Sequence, residues 1–414
     1  MNDFTEKSIL IGNGFNINFG GDAYKSEYII KRIIFNARAN KYDELFDHLI
    51  SGDEIAEVFF GLAEFTNDIV KGKFDNLIKG EDIPVLEDFK LRYNWDVKHY
   101  YEVGLEDWFF LLRVYFLERI ESVVDWPSLK EGFDLLILDA IYNDGDIQTI
   151  HKKIGKPVKK WLKGYRNIFT VNYDNNIEAL TRKPVFHLHG DYRTSKKSKQ
   201  MDIIPRFKHC YCNALLDYSG DHKYKTARNT DTEYHFKTLE NLIGEIHIIG
   251  MSPNNDGHIF RLIDESEIEK VVFYYYSDSE TKNNLPVHQK IKYEKASNLW
   301  KGLNASAKCY NHKYNIPDSP DIDKFLDLFN KLSGDPISKD NIIKGVNAIP
   351  LYQAQELCKL VAQKLSEQSK NGPPKDEADF YLQFREISRI ALRHGVLPTA
   401  LFVHYVMKDK AVKI

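Results

Sequence analysis

The sequence predicts an α/β protein: a Rossmann-like parallel sheet with a large helical insertion, followed by a helical C-terminal region. Three observations lead there. Short apolar segments recur along the chain with helical or loop sequence between them, the alternation expected of a parallel sheet. Glycines and polar residues gather at the carboxyl ends of four of these segments, where open α/β sheets place their ligand sites. Long stretches with apolar residues three and four apart lie between the first and second segments, and again beyond about Lys301.

Taken in order, Ser8–Ile11 (SILI) reads as a buried strand ended by Gly12. From about Lys25 to Leu162 the pattern is helical, with amphipathic stretches at Tyr42–Ile50, Asp53–Val70 and Leu105–Val124. Asp82–Pro84 and Asp125–Pro127 read as breaks, because proline disfavours helix in the residue before it. Strands return at Asn167–Tyr173, Pro184–Gly190, Glu245–Gly250 and Glu269–Ser277. Thr194–Gln200 (TSKKSKQ) reads as a solvated basic loop. Beyond Lys301, Asp321–Gly334 places Ile322, Phe325, Leu326, Phe329 and Leu332 on one helical face. Tyr352–Ser369 and Glu377–Arg393 are further amphipathic helices, separated by Asn371–Pro374, with His394-Gly395 as a C-cap.

A chain of 414 residues exceeds one small core. The expected division is 1–295, with the helical insertion at about 25–162, and 296–414. Net charge is −3, so no global bias draws the chain to DNA or an anionic membrane. The start, MNDFTEKSILIGNG, lacks the basic and apolar regions of a secretion signal. Trp108–Leu117 is apolar but too short to span a bilayer and contains Arg113. Four cysteines without a CxxC pair fit a reduced, cytoplasmic protein.

Four constellations carry chemistry. In GNGFNINFGG, Gly12 and Gly14 allow a tight turn and let backbone N–H groups approach phosphate oxygens at a helix start; a ligand-free β-to-α turn uses the same residues. In FTVNYDNNIE, Asn172 and Asp174 sit two apart at a strand end, as site residues or as caps of the next helix. In FHLHGDY, His189 is placed as a general base or a donor to a ribose hydroxyl, or is a bonded core histidine. His187 and His189 with His209, Cys210 and Cys212 give a zinc alternative, weakened by the absence of a second pair. In IHIIGMSPNNDG, Ser252 either bonds a ribose or belongs to an ordinary loop.

In this order the four pieces resemble the sirtuin-like (silent-information-regulator) NAD-binding family. Gly12, Gly14 and Gly20 match its glycine loop; Thr170, Asn172 and Asp174 its Thr-x-Asn-x-Asp; His189 and Gly190 its strand-end His-Gly; Gly250 and Ser252 its Gly-x-Ser. The resemblance covers roughly residues 1–30 and 165–285. The GNGF start and the long helical insertion are similar to bacterial anti-phage members and AbiH-type proteins. There are departures: no CxxC zinc ribbon of the deacylases, Gly21-Asp22-Ala23-Tyr24 after Gly20 in place of their Ile-Pro-x-Phe-Arg, and Asn16 where AbiH-type proteins carry Asp.

The resemblance implies hydrolysis of the nicotinamide–ribose bond of NAD+, with NAD as substrate and no metal. Asn172 would orient the ribose or the attacking water. His189 would accept a proton or bond a ribose hydroxyl, and Asp174 would position the ribose or hold the loop. Gly12, Asn13, Gly14, Phe15 and Asn16 would line the pyrophosphate, with Gly250 and Ser252 completing the cofactor set. The resemblance further implies abortive-infection defence by NAD depletion, a homo-oligomer, and pairing with a HerA-type hexameric ATPase through the helical surfaces. No membrane association or direct nucleic-acid binding is expected; Arg193, Lys196, Lys197 and Lys199 make only a short patch. The missing ribbon disfavours a deacylase. A catalytically silent NAD- or ADP-ribose-binding sensor or scaffold is the alternative.

Overall fold

A computed structural model describes residues 6–46, 50–119, 126–191, 230–252, 256–276, 291–303, 305, 314–315, 338–368, 376–407 and 412–413. The basic loop Thr194–Gln200, Arg193, His209, Cys210, Cys212, the helix expected at Asp321–Gly334 and the break Asn371–Pro374 lie outside the described residues. The chain divides into two units, Met1–Ser306 and Ala307–Ile414.

The first unit is built on six parallel strands: β1 (Lys7–Ile11), β2 (Asn167–Thr170), β3 (Phe186–His187), β4 (Ile243–Ile249), β5 (Glu267–Tyr275) and β6 (Ile291–Lys295). Their order is β3-β2-β1-β4-β5-β6, the doubly wound order of a Rossmann-like sheet. Register follows from burial on both faces. Ile9 and Ile11 of β1 enter one core cluster with Ile249, Val272 and Tyr274. Leu10, between them, enters another with Ile246, Ile248, Val271 and Phe273. Side chains alternate along a strand, so a strand apolar at every position must be covered twice. Each fully buried side chain of this kind contributes about 1.5–3 kcal/mol.

The first face is covered by the insertion. It runs through α2 (Ser26–Arg38), α3 (Gly52–Phe60), α4 (Leu62–Val70), α5 (Ile83–Arg92), α6 (Asp107–Arg119), α7 (Trp126–Tyr142) and α8 (Lys156–Lys163), after α1 (Asn13–Gly20) has left β1. Asp53–Val70 is two helices that meet at Gly61. Tyr42–Ile50 is not the expected helix over its described residues: a short 3-10 turn at Asp43–Leu45 seats Tyr42 and Phe46 in the core. Both proline breaks are helix starts, Pro84 and Pro127 standing in the first turns of α5 and α7, where a missing N–H costs nothing. Trp108–Leu112 is fully buried within α6, and no described helix is long and apolar enough to cross a membrane.

Between β2 and β3 lies α9 (Asn176–Thr181). The second face is covered by α10 (Thr230–Glu240) and α11 (Gly257–Glu265). Strand β6 was not evident in the sequence because IKYEK is charged and only partly buried, as suits a sheet edge. The next helix, α12 (Ala296–Gly302), falls in the first unit, whereas the sequence placed it in the C-terminal region. Buried Trp300 is the reason: its ring lies 5.1 Å from Phe19, 6.0 Å from Trp161 and 6.1 Å from Phe15.

The second unit contains α13 (Lys339–Ala348), α14 (Leu351–Glu367), α15 (Glu377–Arg393) and α16 (Pro398–Met407) around Val361, Leu365, Ile387, Ala391 and Leu401. The short strands β7 (Tyr314–Asn315) and β8 (Val412–Lys413) pair antiparallel. Helix α15 ends as expected, with His394 as C-cap and Gly395 at φ +67°.

Candidate functional site

Strands β1 and β4 are neighbours, but the chain leaves them for opposite edges of the sheet. Their carboxyl ends therefore flank the crevice where such sheets bind ligands. Two glycine turns meet there. Gly12 N–H donates to Ile249 O and Gly14 N–H to Gly250 O, both at 2.8 Å, while Phe15 N–H returns to Gly12 O at 3.0 Å. A Cβ on Gly12 would stand 2.4 Å from Gly250 O, and one on Gly14 2.6 Å from Gly250 Cα. Gly250 itself sits at φ +72°, and a Cβ there would meet Phe15 N at 2.6 Å. The turn after β1 is thus bare because the turn after β4 lies against it. That is a different use of glycine from the phosphate approach expected from the sequence, and three amides of the turn are engaged by protein carbonyls.

Asn13, Gly14, Asn16, Asn172, Asp174, His189, Gly250 and Ser252 all line one cleft of about 320 Å3. Gly12 and Phe15 do not. Phe15 is fully buried, its ring 4.8 Å from Phe19, so it is a core residue at this turn. Asn13 Nδ2 donates to Tyr24 O at 2.8 Å and fixes the first turn of α1.

The Thr-x-Asn-x-Asp segment works by short hydrogen-bonded steps. Thr170 Oγ1 donates to Ile11 O at 2.9 Å and accepts from Asn172 N–H at 3.0 Å, locking the end of β2 to β1. Asn172 Nδ2 lies 3.4 Å from Gly12 O, so this side chain does not cap the next helix. Asp174 does so in part: its Oδ1 accepts from Asn176 N–H at 2.9 Å. Its Oδ2 accepts from Asn16 Nδ2 at 2.6 Å, joining the two halves of the cleft floor. Burial pushes the Asp174 carboxyl above its ordinary value, against the pull of the Asn16 and Asn176 donors. Asn176 Nδ2 also donates to Ile147 O at 2.6 Å, which ties the floor to the insertion.

The two histidines separate by environment. His187 is the bonded core histidine: Nδ1 is 2.9 Å from Asn172 O and Nε2 2.5 Å from Glu178 Oε1. Burial would lower its pKa, but the Glu178 hydrogen bond and charge outweigh it and the net shift is upward. His189 lies just past the end of β3 and lines the cleft. It is 2% exposed, with Nε2 3.4 Å from Asp256 Oδ1, and its ring stacks on His258 at 5.9 Å and 19°.

Several lining residues were not singled out from the sequence. Leu105, Glu106, Ile141 and Ile147 come from the insertion, which therefore forms a wall of the cleft. Asp256 stands in the quoted PNNDG loop and His258 just beyond it; the strand-end polar cluster was the available signal. Tyr276, after β5, is 43% exposed and its hydroxyl donates to Gly14 O at 3.3 Å. The charged side chains lining the cleft are Glu106, Asp174 and Asp256, with no Lys or Arg among the described residues. Such a lining favours a cationic or neutral group over a bare anion. No protein-family model matches this chain and no curated protein matches it.

Proposed function

We propose that the chain is an NAD+ glycohydrolase, releasing nicotinamide and ADP-ribose. The observation that carries this reading is the meeting of Asn172 and His189, from the ends of adjacent strands, in one cleft at the β1/β4 crevice. The carboxylates of Glu106 and Asp256 favour the pyridinium ring and the oxocarbenium-like ribose that forms as it leaves. Asn172 orients the ribose or the water. His189 takes the proton as water attacks the anomeric carbon, with Asp256 beside it. Each contact made only in the transition state adds tenfold in rate per about 1.4 kcal/mol.

In the cell this activity fits anti-phage defence by NAD depletion, in a cytoplasmic homo-oligomer regulated by assembly with a HerA-type ATPase. The sequence resemblance supports that setting. The test is NAD+ loss and nicotinamide release by the full chain, alone and co-expressed with such an ATPase. Asn172→Ala and His189→Ala are each expected to lower turnover by about 100-fold or more in protein whose circular dichroism shows the fold intact. NAD+ binding without turnover in any assembly would favour the silent sensor; absence of both binding and turnover would overturn either reading.

A further inference from the structure

His189, Asp256 and His258 each offer one donor atom, and these atoms lie within 4.8 Å of one another. Two of the three come from the same short stretch. Asp256 is the N-cap residue of α11 and His258 lies in its first turn, whereas His189 arrives from the end of β3. An aspartate at an N-cap ordinarily accepts from its own helix. Asp256 makes no such cap bond; its Oδ1 stands 3.4 Å from His189 Nε2 instead. The site is secluded: the His189 side chain is 3% exposed, that of Asp256 13%, and His258 3%.

Around one ion with bonds of about 2.0–2.2 Å, neighbouring ligand atoms stand about 3–3.5 Å apart. The His189–Asp256 pair already has that spacing, and modest side-chain rotation closes the remainder. Two imidazoles and one carboxylate suit a first-row transition cation, while Mg2+ and Ca2+ take oxygen ligands. Three protein ligands leave a coordination position open. His189 and Asp256 both line the cleft, so that position faces it. An ion there would also supply the positive charge that no lining Lys or Arg provides.

We infer that His189, Asp256 and His258 form a three-ligand site for a divalent transition cation, taken as Zn2+, with its open position toward the cleft. The sequence led to no metal being expected, and the zinc alternative it raised joined His187 and His189 to His209, Cys210 and Cys212, so the inferred site shares only His189 with it. The inference does not rest on the hydrolase reading. Where both hold, a bound ion and a proton compete for His189, and zinc-loaded protein is expected to turn over NAD+ more slowly.

The test counts metal directly. The full chain is stripped with a chelator, loaded with Zn2+ or Co2+, desalted and analysed. One equivalent is expected in the wild type and in Cys210→Ser/Cys212→Ser, and a loss of at least tenfold in affinity in His258→Ala and Asp256→Asn. The Co2+ form should lack the near-ultraviolet thiolate charge-transfer absorption, and its visible d–d bands should shift on adding azide at the open position. His258→Gln replaces the alanine variant if that one unfolds, and the wild-type Co2+ spectrum decides without any variant. No bound metal in folded wild type, equal metal in His258→Gln, or loss confined to the cysteine variant would each overturn the site.

Discussion

Gly250→Ala isolates the claim that the glycine turns exist to pack against each other. Two separate costs arise. At φ +72° an L-residue loses about 1–2 kcal/mol relative to glycine. Its Cβ would also meet Phe15 N at 2.6 Å and Gly12 O at 2.9 Å, both backbone atoms that cannot rotate away. Such overpacking costs about 1–3 kcal/mol, so the expected total is about 2–5 kcal/mol. Three other glycines separate the causes. Gly21 has φ +96° and ψ −175°, a backbone region held almost only by glycine, with nothing within 4 Å, so Gly21→Ala shows a backbone cost alone, about 1–3 kcal/mol. Gly14→Ala shows the packing cost alone, from a Cβ 2.6 Å from Gly250 Cα, reduced by up to about 1 kcal/mol of helix propensity. Gly257 has neither a positive φ nor a neighbour within 4 Å, so Gly257→Ala should be neutral or slightly stabilising. All five tryptophans lie within residues 1–306, so urea denaturation followed by tryptophan fluorescence reads the first unit, with a constant m-value as the control. Gly14→Ala as stable as wild type, yet impaired in nucleotide binding, would refute the packing account and restore the phosphate role.

The His187–Glu178 pair predicts a pH dependence. The folded pKa of His187 lies above its ordinary 6.5, so its stabilisation is complete below about pH 6.5 and fades as pH rises through the folded value. Glu178→Gln should therefore cost about 1 kcal/mol near pH 6 and much less near pH 9; equal losses in urea unfolding at both would contradict this. In the insertion wall, Asp107 accepts from Arg92 Nη1 at 2.5 Å, Arg92 Nη2 at 2.8 Å and Tyr93 OH at 2.7 Å, with its side chain 3% exposed. Asp107→Ala leaves a largely buried guanidinium with Asp88 as its carboxylate among the described residues, and should cost about 3 kcal/mol or more; a change below about 1 kcal/mol by thermal unfolding would show that the pair is dispensable.

Most strands of the sheet were legible because both faces are buried, which writes them as local apolar runs closed by glycine or polar residues. NIFT and EIHII needed no partner to be recognised. The edge strand IKYEK escaped because solvent covers part of it. In the C-terminal unit, Leu351–Glu367 and Glu377–Arg393 showed the helical period, but Pro398–Met407 is apolar around most of its surface and carries no stripe to read. Asn172, Asp174 and His189 were legible as site candidates because they follow strand ends directly. Their roles were not: His187 and His189 look alike in FHLHG, and only Glu178 and Asp256 tell them apart.

What the sequence determined by itself was therefore local: where the strands covered on both faces lie and which polar residues follow them, although β2 stops at Thr170 and β3 at His187, short of the expected Tyr173 and Gly190. The tertiary structure decided which of those ends meet. Gly14 is bare because of Gly250, Asn16 is held by Asp174, and the insertion supplies a cleft wall that no motif announced. The physical reason is range. Backbone preference and burial pattern act over a few residues, whereas the Asn16–Asp174 bond spans 158 positions and exists only once the doubly wound sheet has brought the ends of β1 and β2 side by side.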